Sequence, residues 1–390
     1  MYLTREEERV FNGECGWANE TCMKILARLG DLYGAKKLIP ISSAHVSGVS
    51  YKTLGDAPVE FLRALADAGA KVKVKTTLNP QSLDPEHLTK RLPKTLVQKQ
   101  LHILKQFERM GTAKSLTCTP YYIERPKFGS HLAWAESSAV VYANSVLGAW
   151  TNREGGPSAL AAAIMGKTPD HGMHRDENRQ PNLVVNIETR PQNETEFGAL
   201  GIHLGKLLGD TIPLIQGLGK TSPERLKQLC AALATTGMTN MFHCGTGSET
   251  KGIAKISVEA KDVKRTVKEL STGSCEKCDL VFIGCPHCSL AEMKQIAQAV
   301  KGKKTKRGTE FWVCTSSHIK ETARDYVKEI ERSGGQVLAG VCTVVAWTEK
   351  LGIETIMTNS AKTAYYAPTL SKAETILSQT KDCLRTAFQG

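Results

Sequence analysis

The sequence predicts an α/β protein of alternating strands and helices, and three observations carry that expectation. From residue 280 onward the chain alternates: a strand, a helix over 291–300, a strand over 311–314, a helix over 319–332 and a strand over 336–341. That is the order of a doubly wound unit. Residues 279–284 (DLVFIG) are a short apolar run closed by a glycine, the signature of a strand buried on both faces of a parallel sheet. Near the amino end, two further strand-to-helix junctions precede Cys118.

The elements follow in order. Thr4 stands before a run of glutamates, an N-cap with acids in the first turn, and a helix is expected over 19–29. Residues 37–42 read as a strand. The stretch 43–50 (SAHVSGVS) reads as a loop rich in hydroxyls, holding His45 and offering the backbone N–H groups of Gly48 and Val49 and the Ser50 hydroxyl to an anion. A helix over 53–68 starts near Pro58 and ends at Gly69. A strand over 71–77 delivers Asn79 and Pro80 at its carboxyl end, and a long basic helix over 85–110 leads to Cys118, in a short strand-like run stopped by Pro120. Residues 129–156 carry a helical pattern dense in hydrogen-bonding groups, with Arg153 a natural fork for carboxylate or phosphate. A small-residue helix covers 157–166.

Strands are expected over 183–187, 212–215 and 241–243, a helix over 223–236, and a charged return segment over 255–267. After a brief strand over 355–358, Ser360 caps a helix with Lys362 in its first turn. A lysine there opposes the helix dipole, which suggests recruitment for an anionic group. The expected domains are 1–180, 181–270 and 271–390.

Cysteine use and charge narrow the function. Twelve cysteines behind a charged, leaderless start point to reduced thiols and metal chemistry in the cytoplasm rather than a disulfide framework. No apolar run reaches the roughly 18 residues of a membrane span. Cys275-x-x-Cys278 and Cys285-x-x-Cys288 resemble a four-thiolate zinc site. However, the intervening strand sets Cys278 and Cys285 on the order of 20 Å apart, so Cys275 and Cys278 are expected as free thiols or a weak surface pair. Cys285 lies where a strand ends, the edge at which open α/β sheets hold ligands. Cys118 and Cys342 have similar surroundings, and three such thiolates could hold an iron–sulfur cluster with one iron open to a substrate hydroxyl. The bland alternative for each is a small buried hydrophobe. A net charge of +12 raises nucleic acid as a partner, but aromatic residues do not alternate with the basic runs at 90–105 and 301–307. An anionic small molecule accounts for the charge equally well. Neither nucleic acid nor membrane is expected as a partner.

SAHVSGVS (43–50), TTLNP (76–80), TCTPY (117–121), ESSAVVYANSVLGAWTNREGGPSALAAAIMGKTP (136–169), GCPHCS (284–289) and TNSAKTAYYAP (358–368) together resemble the large subunit of the aconitase X family. The resemblance covers most of the chain. It implies an aconitase-like fold, several three-layer α/β/α units around a central cleft, and a hydro-lyase with a [4Fe-4S] cluster on Cys118, Cys285 and Cys342. Similar proteins carry aspartate and threonine ahead of the third cysteine, where this chain has Gly340 and Val341. Cys314, and less well Cys288, therefore stay open as alternatives. The resemblance implies substrate contacts at Gly48, Val49, Ser50, Asn79, Pro80, Ser360 and Arg153, and catalytic roles for Lys362 and His45. A small subunit is the implied partner, bringing a swivelling domain and a serine as base. The implied reaction dehydrates (R)-5-phosphomevalonate to trans-anhydromevalonate 5-phosphate, in an archaeal-type mevalonate pathway. A hydroxyproline is the rival substrate, and a zinc-structured binding module is the alternative of another class.

Overall fold

Parallel strands of small and β-branched residues build both halves of the chain. The computed structural model describes residues 1–113, 115–245, 252–274 and 278–389. The chain divides into two units, Met1–Pro80 with Lys94–Gln180, and Gln81–Pro93 with Pro181–Gly390.

The first unit holds helices α1 (Arg5–Phe11), α2 (Trp17–Leu32), α3 (Tyr51–Leu54), α4 (Asp56–Asp67), α5 (Lys94–Arg109), α6 (Ser137–Tyr142) and α7 (Gly156–Met165). Its strands are β1 (Leu38–Pro40), β2 (Ser43–Val46), β3 (Lys75–Leu78), β4 (Leu132–Trp134) and β5 (Lys167–Pro169). Thr4 caps α1 in a reciprocal box with Glu7. A three-stranded parallel sheet runs β3-β2-β4, and β1 and β5 pair as an antiparallel ribbon. Helix α7 consists largely of alanine and other small residues, so it sits close to β2 and α2 in one apolar core with Leu26, Val46 and Phe107.

Several expectations for this unit are corrected. Residues 43–46 form the central strand of the sheet rather than a loop, because His45 satisfies its ring nitrogens internally and so tolerates burial. The expected 53–68 helix is two helices broken at Gly55, whose φ of +69° is left-handed. The strand near 71–77 forms only at Lys75–Leu78. The long basic helix begins at Lys94, not near 85. Asp84 accepts the N–H groups of Glu86 and His87 in a turn, and Pro93 disfavours helix at Leu92. Residues 129–156 are not helical throughout: they hold strand β4, then α6, then a π-helical turn, Ala143–Leu147, followed by an irregular stretch up to α7.

The second unit holds strands β6 (Leu183–Ile187), β7 (Pro213–Gln216), β8 (His243–Cys244), β9 (Ala254–Val258), β10 (Leu280–Ile283), β11 (Lys304–Thr305), β12 (Glu310–Thr315), β13 (Gln336–Ala339), β14 (Thr355–Thr358), β15 (Glu374–Leu377) and β16 (Phe388–Gln389). Its helices are α8 (Glu194–Leu208), α9 (Pro223–Thr236), α10 (Ala260–Glu269), α11 (Leu290–Val300), α12 (Ser317–Thr322), α13 (Arg324–Arg332), α14 (Ala361–Leu370) and α15 (Thr380–Ala387). One parallel sheet runs β8-β7-β6-β9 and a larger one β13-β12-β10-β14-β15. The charged 255–267 segment is strand β9 followed by α10. The sequence reading contains no counterpart of α8, because its glycines lower helix propensity. They are needed for packing: a Cβ on Gly201 would lie 2.7 Å from Ala232 Cβ and 2.7 Å from the Leu229 carbonyl of α9.

Residues 81–93 strap onto this unit. Gln81 N–H donates to the Gly340 carbonyl at 2.9 Å and the Gln81 carbonyl accepts Cys342 N–H at 3.2 Å. Asp84 accepts Ala339 N–H, and Arg91 forks onto Glu310 at 2.8 and 2.7 Å.

Candidate functional site

Strand β10 is the centre of the larger sheet. From it the chain moves to β12 and β13 on one side, then returns to β14 and β15 on the other. The carboxyl ends of β10 and β14 therefore flank a point where strand order reverses, the position at which open α/β sheets bind ligands. Cys285 leaves β10 there, and Ser360 and Lys362 follow β14. Gly284, with φ +125°, lies so close to β12 that a Cβ would sit 2.7 Å from the Cys314 nitrogen, so only glycine lets Cys285 turn out of the sheet.

Cys342 sits in the turn after β13, its carbonyl accepting Val345 and Ala346 N–H. It keeps some surface exposed although protein surrounds its sulfur. Burial pushes its thiol up to about 12 and nearby Cys285 adds to the rise, while Lys362 and the N–H groups of Val344 and Val345 pull it down. One cysteine is thus in electrostatic contact with a second cysteine, a lysine and two backbone donors. The donor set suits an iron–sulfur cluster, whose bound metal neutralises thiolates that burial otherwise disfavours. Among the described residues, no group of three or more His, Cys, Asp or Glu is gathered as for a single metal ion. Ser360, fully buried, caps α14 by accepting Thr363 N–H at 3.2 Å, and Lys362 is partly exposed in its first turn.

The other cysteines fall elsewhere. Cys288 is 1% exposed and burial raises its thiol; its N–H donates to the Cys314 carbonyl. Cys314 lies within β12, fully buried. Cys278 is not a surface thiol: it is buried, donates to the Leu280 carbonyl at 3.3 Å and neighbours Cys383. Cys275 lies outside the described residues.

In the first unit, a polar relay crosses the sheet. His45 on β2 is fully buried, with Nδ1 2.7 Å from Thr77 Oγ1 and Nε2 2.8 Å from Asn79 Oδ1. Asn79 Nδ2 donates to Glu136 at 2.9 Å, and the Ser138 hydroxyl donates to the same carboxylate at 2.8 Å. Since the amide oxygen faces the ring, Nε2 carries the proton and Nδ1 accepts from Thr77. Burial lowers the His45 pKa to about 4, against the raising influence of Asn79 and Glu136. The ring is therefore neutral with both nitrogens engaged. It orients Asn79, and the catalytic role expected of it finds no free nitrogen here.

The 47–50 turn lies beside this relay on the chain. Gln100 of α5, fully buried, donates to the Val49 carbonyl at 2.8 Å and accepts Tyr51 N–H at 3.0 Å. A Cβ on Gly156 would come within 2.7 Å of the Ser47 carbonyl, so α7 presses on the turn from behind. Gly48 has φ +79°, and Val49 and Ser50 are buried. Pro80 is buried after Asn79. Arg153 is partly exposed and bridges Trp134 of β4. Cys118, 8% exposed, is not on a strand: Thr117 N–H pairs with the Leu78 carbonyl, and Thr117 Oγ1 accepts Thr119 N–H at 3.0 Å. Sequence reasoning missed Gln100, Thr77 and Glu136; the one available signal was the acid opening ESSAVVY, an N-cap position.

Comparison with known proteins completes the description. The chain matches the aconitase X first domain over residues 1–177, the second over 181–268 and the third over 278–389. It is 45% identical to a protein named phosphomevalonate dehydratase large subunit from Methanocaldococcus jannaschii, over 99% of this chain and 100% of that one. It is 31% identical to cis-3-hydroxy-L-proline dehydratase from Pseudomonas aeruginosa, over 98% of this chain and 69% of that one. The crystal structure of aconitase X from Thermococcus kodakaraensis, in its holo-form, superposes with a TM-score of 0.92 at 41% identity, covering 99% of this chain and all of the other.

Proposed function

The chain belongs to the aconitase X family, and on that premise we propose that it is the large subunit of a phosphomevalonate dehydratase, a hydro-lyase acting on (R)-5-phosphomevalonate. The observation that carries the substrate is the end-to-end match at 45% identity to the M. jannaschii protein of that name. The match to the P. aeruginosa hydroxyproline enzyme is lower, at 31% identity.

Cys118, Cys285 and Cys342 are the proposed cluster ligands. A [4Fe-4S] cluster held by them would supply a Lewis acid for the 3-hydroxyl that leaves. The remaining work belongs to side chains. Lys362, beside Cys342, offsets thiolate charge and attracts an anionic end of the substrate. Gly48, Val49, Ser50, Asn79, Pro80, Arg153 and Ser360 are assigned to holding it. The His45 ring locks the Asn79 amide so that its direction is set before substrate arrives. A proton leaves C2 as hydroxide leaves C3, the two together making water. His45, neutral and fully engaged, is not the base; that group falls to a small subunit, which completes a cytoplasmic enzyme. Residues 1–180, 181–270 and 271–390 are the proposed functional divisions.

The test is an assay of the anaerobically purified two-subunit protein with (R)-5-phosphomevalonate and with cis-3-hydroxy-L-proline, products read by proton NMR. Water loss from phosphomevalonate alone is expected. Turnover of hydroxyproline alone removes the substrate assignment, and zinc in place of iron and labile sulfide removes the cluster.

A further inference from the structure

The segments that follow β10 and β13 are joined by one side chain. His287 is 1% exposed, and its Nε2 lies 2.8 Å from the Val341 carbonyl, 54 positions away. A carbonyl only accepts, so the proton sits on Nε2 and the ring donates. His287 stands two residues after Cys285, and Val341 directly before Cys342. The hydrogen bond therefore ties together the backbones that carry these two sulfurs.

The histidine is itself held from below. Lys227 of α9, 1% exposed, donates to the His287 carbonyl at 2.9 Å and pairs with Glu292. Glu292 in turn accepts Ser289 N–H at 2.7 Å in the capping box that opens α11. A buried ammonium is costly to desolvate, and an apolar side chain could fill the same volume without that cost. What the ammonium adds is a fixed backbone under His287. The other end is fixed too, since Cys342 N–H donates to the Gln81 carbonyl and Gly340 accepts Gln81 N–H.

On the reading that Cys285 and Cys342 ligate the cluster, we infer that His287 is a positioning residue that sets the separation of these two ligands through its hydrogen bond to Val341. Partners one step removed from a metal fix its ligands in this way, and their loss weakens metal retention by about 10- to 100-fold.

The test compares native two-subunit enzyme, purified anaerobically, with His287→Leu, His287→Asn and His287→Gln. Leucine fills the space without a donor, asparagine is polar but too short to reach Val341, and glutamine restores a donor at nearly the right reach. The readouts are iron and acid-labile sulfide per chain, the rate of iron loss to a chelator, the EPR spectrum of the oxidised cluster and the melting temperature. Leucine and asparagine variants are expected to lose iron about 10- to 100-fold faster than native enzyme, with a shifted EPR spectrum, and the glutamine variant to recover most of both. If the leucine variant does not fold, the asparagine and glutamine pair carries the comparison. Native loss rates in all variants, or a glutamine variant as leaky as the asparagine one, overturn the inference. Native enzyme without iron and sulfide overturns the cluster assignment and this inference together; a native cluster indifferent to the substitutions overturns this inference alone.

Discussion

At the scale of single residues, the pH dependence of stability follows from two buried histidines. Burial holds His45 at about 4 and His174, in the short helical turn Gly172–His174 that follows β5, at about 3, whereas both rings titrate at about 6.5 in an unfolded chain. The unfolded state thus binds protons that these two native rings refuse, so their contribution to stability is full above about pH 6.5 and falls as pH drops toward the folded values. His45 alone accounts for about 3 kcal/mol at the acid end of that window. Urea midpoints at about pH 7 and about pH 4.5 should therefore draw together in His45→Gln relative to native protein; an unchanged separation would count against a neutral, buried His45. Cys285 was legible as a strand-end cysteine because the carboxyl edge of β10 can be read from its apolar run. The Glu136 to Asn79 and Lys227 to His287 contacts were not, since they join positions 57 and 60 residues apart and leave no local periodicity.

At the scale of elements, two close approaches are sensitive to a single methyl group. Gly284→Ala would place a Cβ against the backbone of Cys314 at a φ of +125°, a cost of about 3 kcal/mol or more. Gly201→Val would push α8 away from Ala232 and Leu229 at about 1–3 kcal/mol. Chemical denaturation reads both, and the Gly284 variant should also lose any bound iron while the Gly201 variant keeps it. Helices with strong caps, such as α9 behind Ser222 and α11 behind Ser289, could be located from sequence because the cap residue and the apolar face coincide. Helix α8 could not, because its small residues serve packing at the expense of propensity. Strand β2 was hidden for the opposite reason: a histidine on a central strand reads as polar until its hydrogen-bond partners are known.

At the scale of the whole molecule, a net charge of +12 suits the proposed substrate, which is anionic at both ends. Raising ionic strength from about 0.05 to about 0.5 M, which shortens the screening length severalfold, should raise KM severalfold and leave kcat nearly unchanged. A flat KM would assign the charge to solubility instead. The family was legible in part because the motifs 43–50, 76–80 and 284–289 run from strands into turns, where backbone geometry restricts residue choice most. The division into two units was not, because residues 81–93 leave the first unit and return to it. That excursion has a practical consequence. Severing the polypeptide between 180 and 181 would leave the segment that backs Cys342 on the other fragment, so residues 181–390 expressed alone would lack a support that the intact chain supplies.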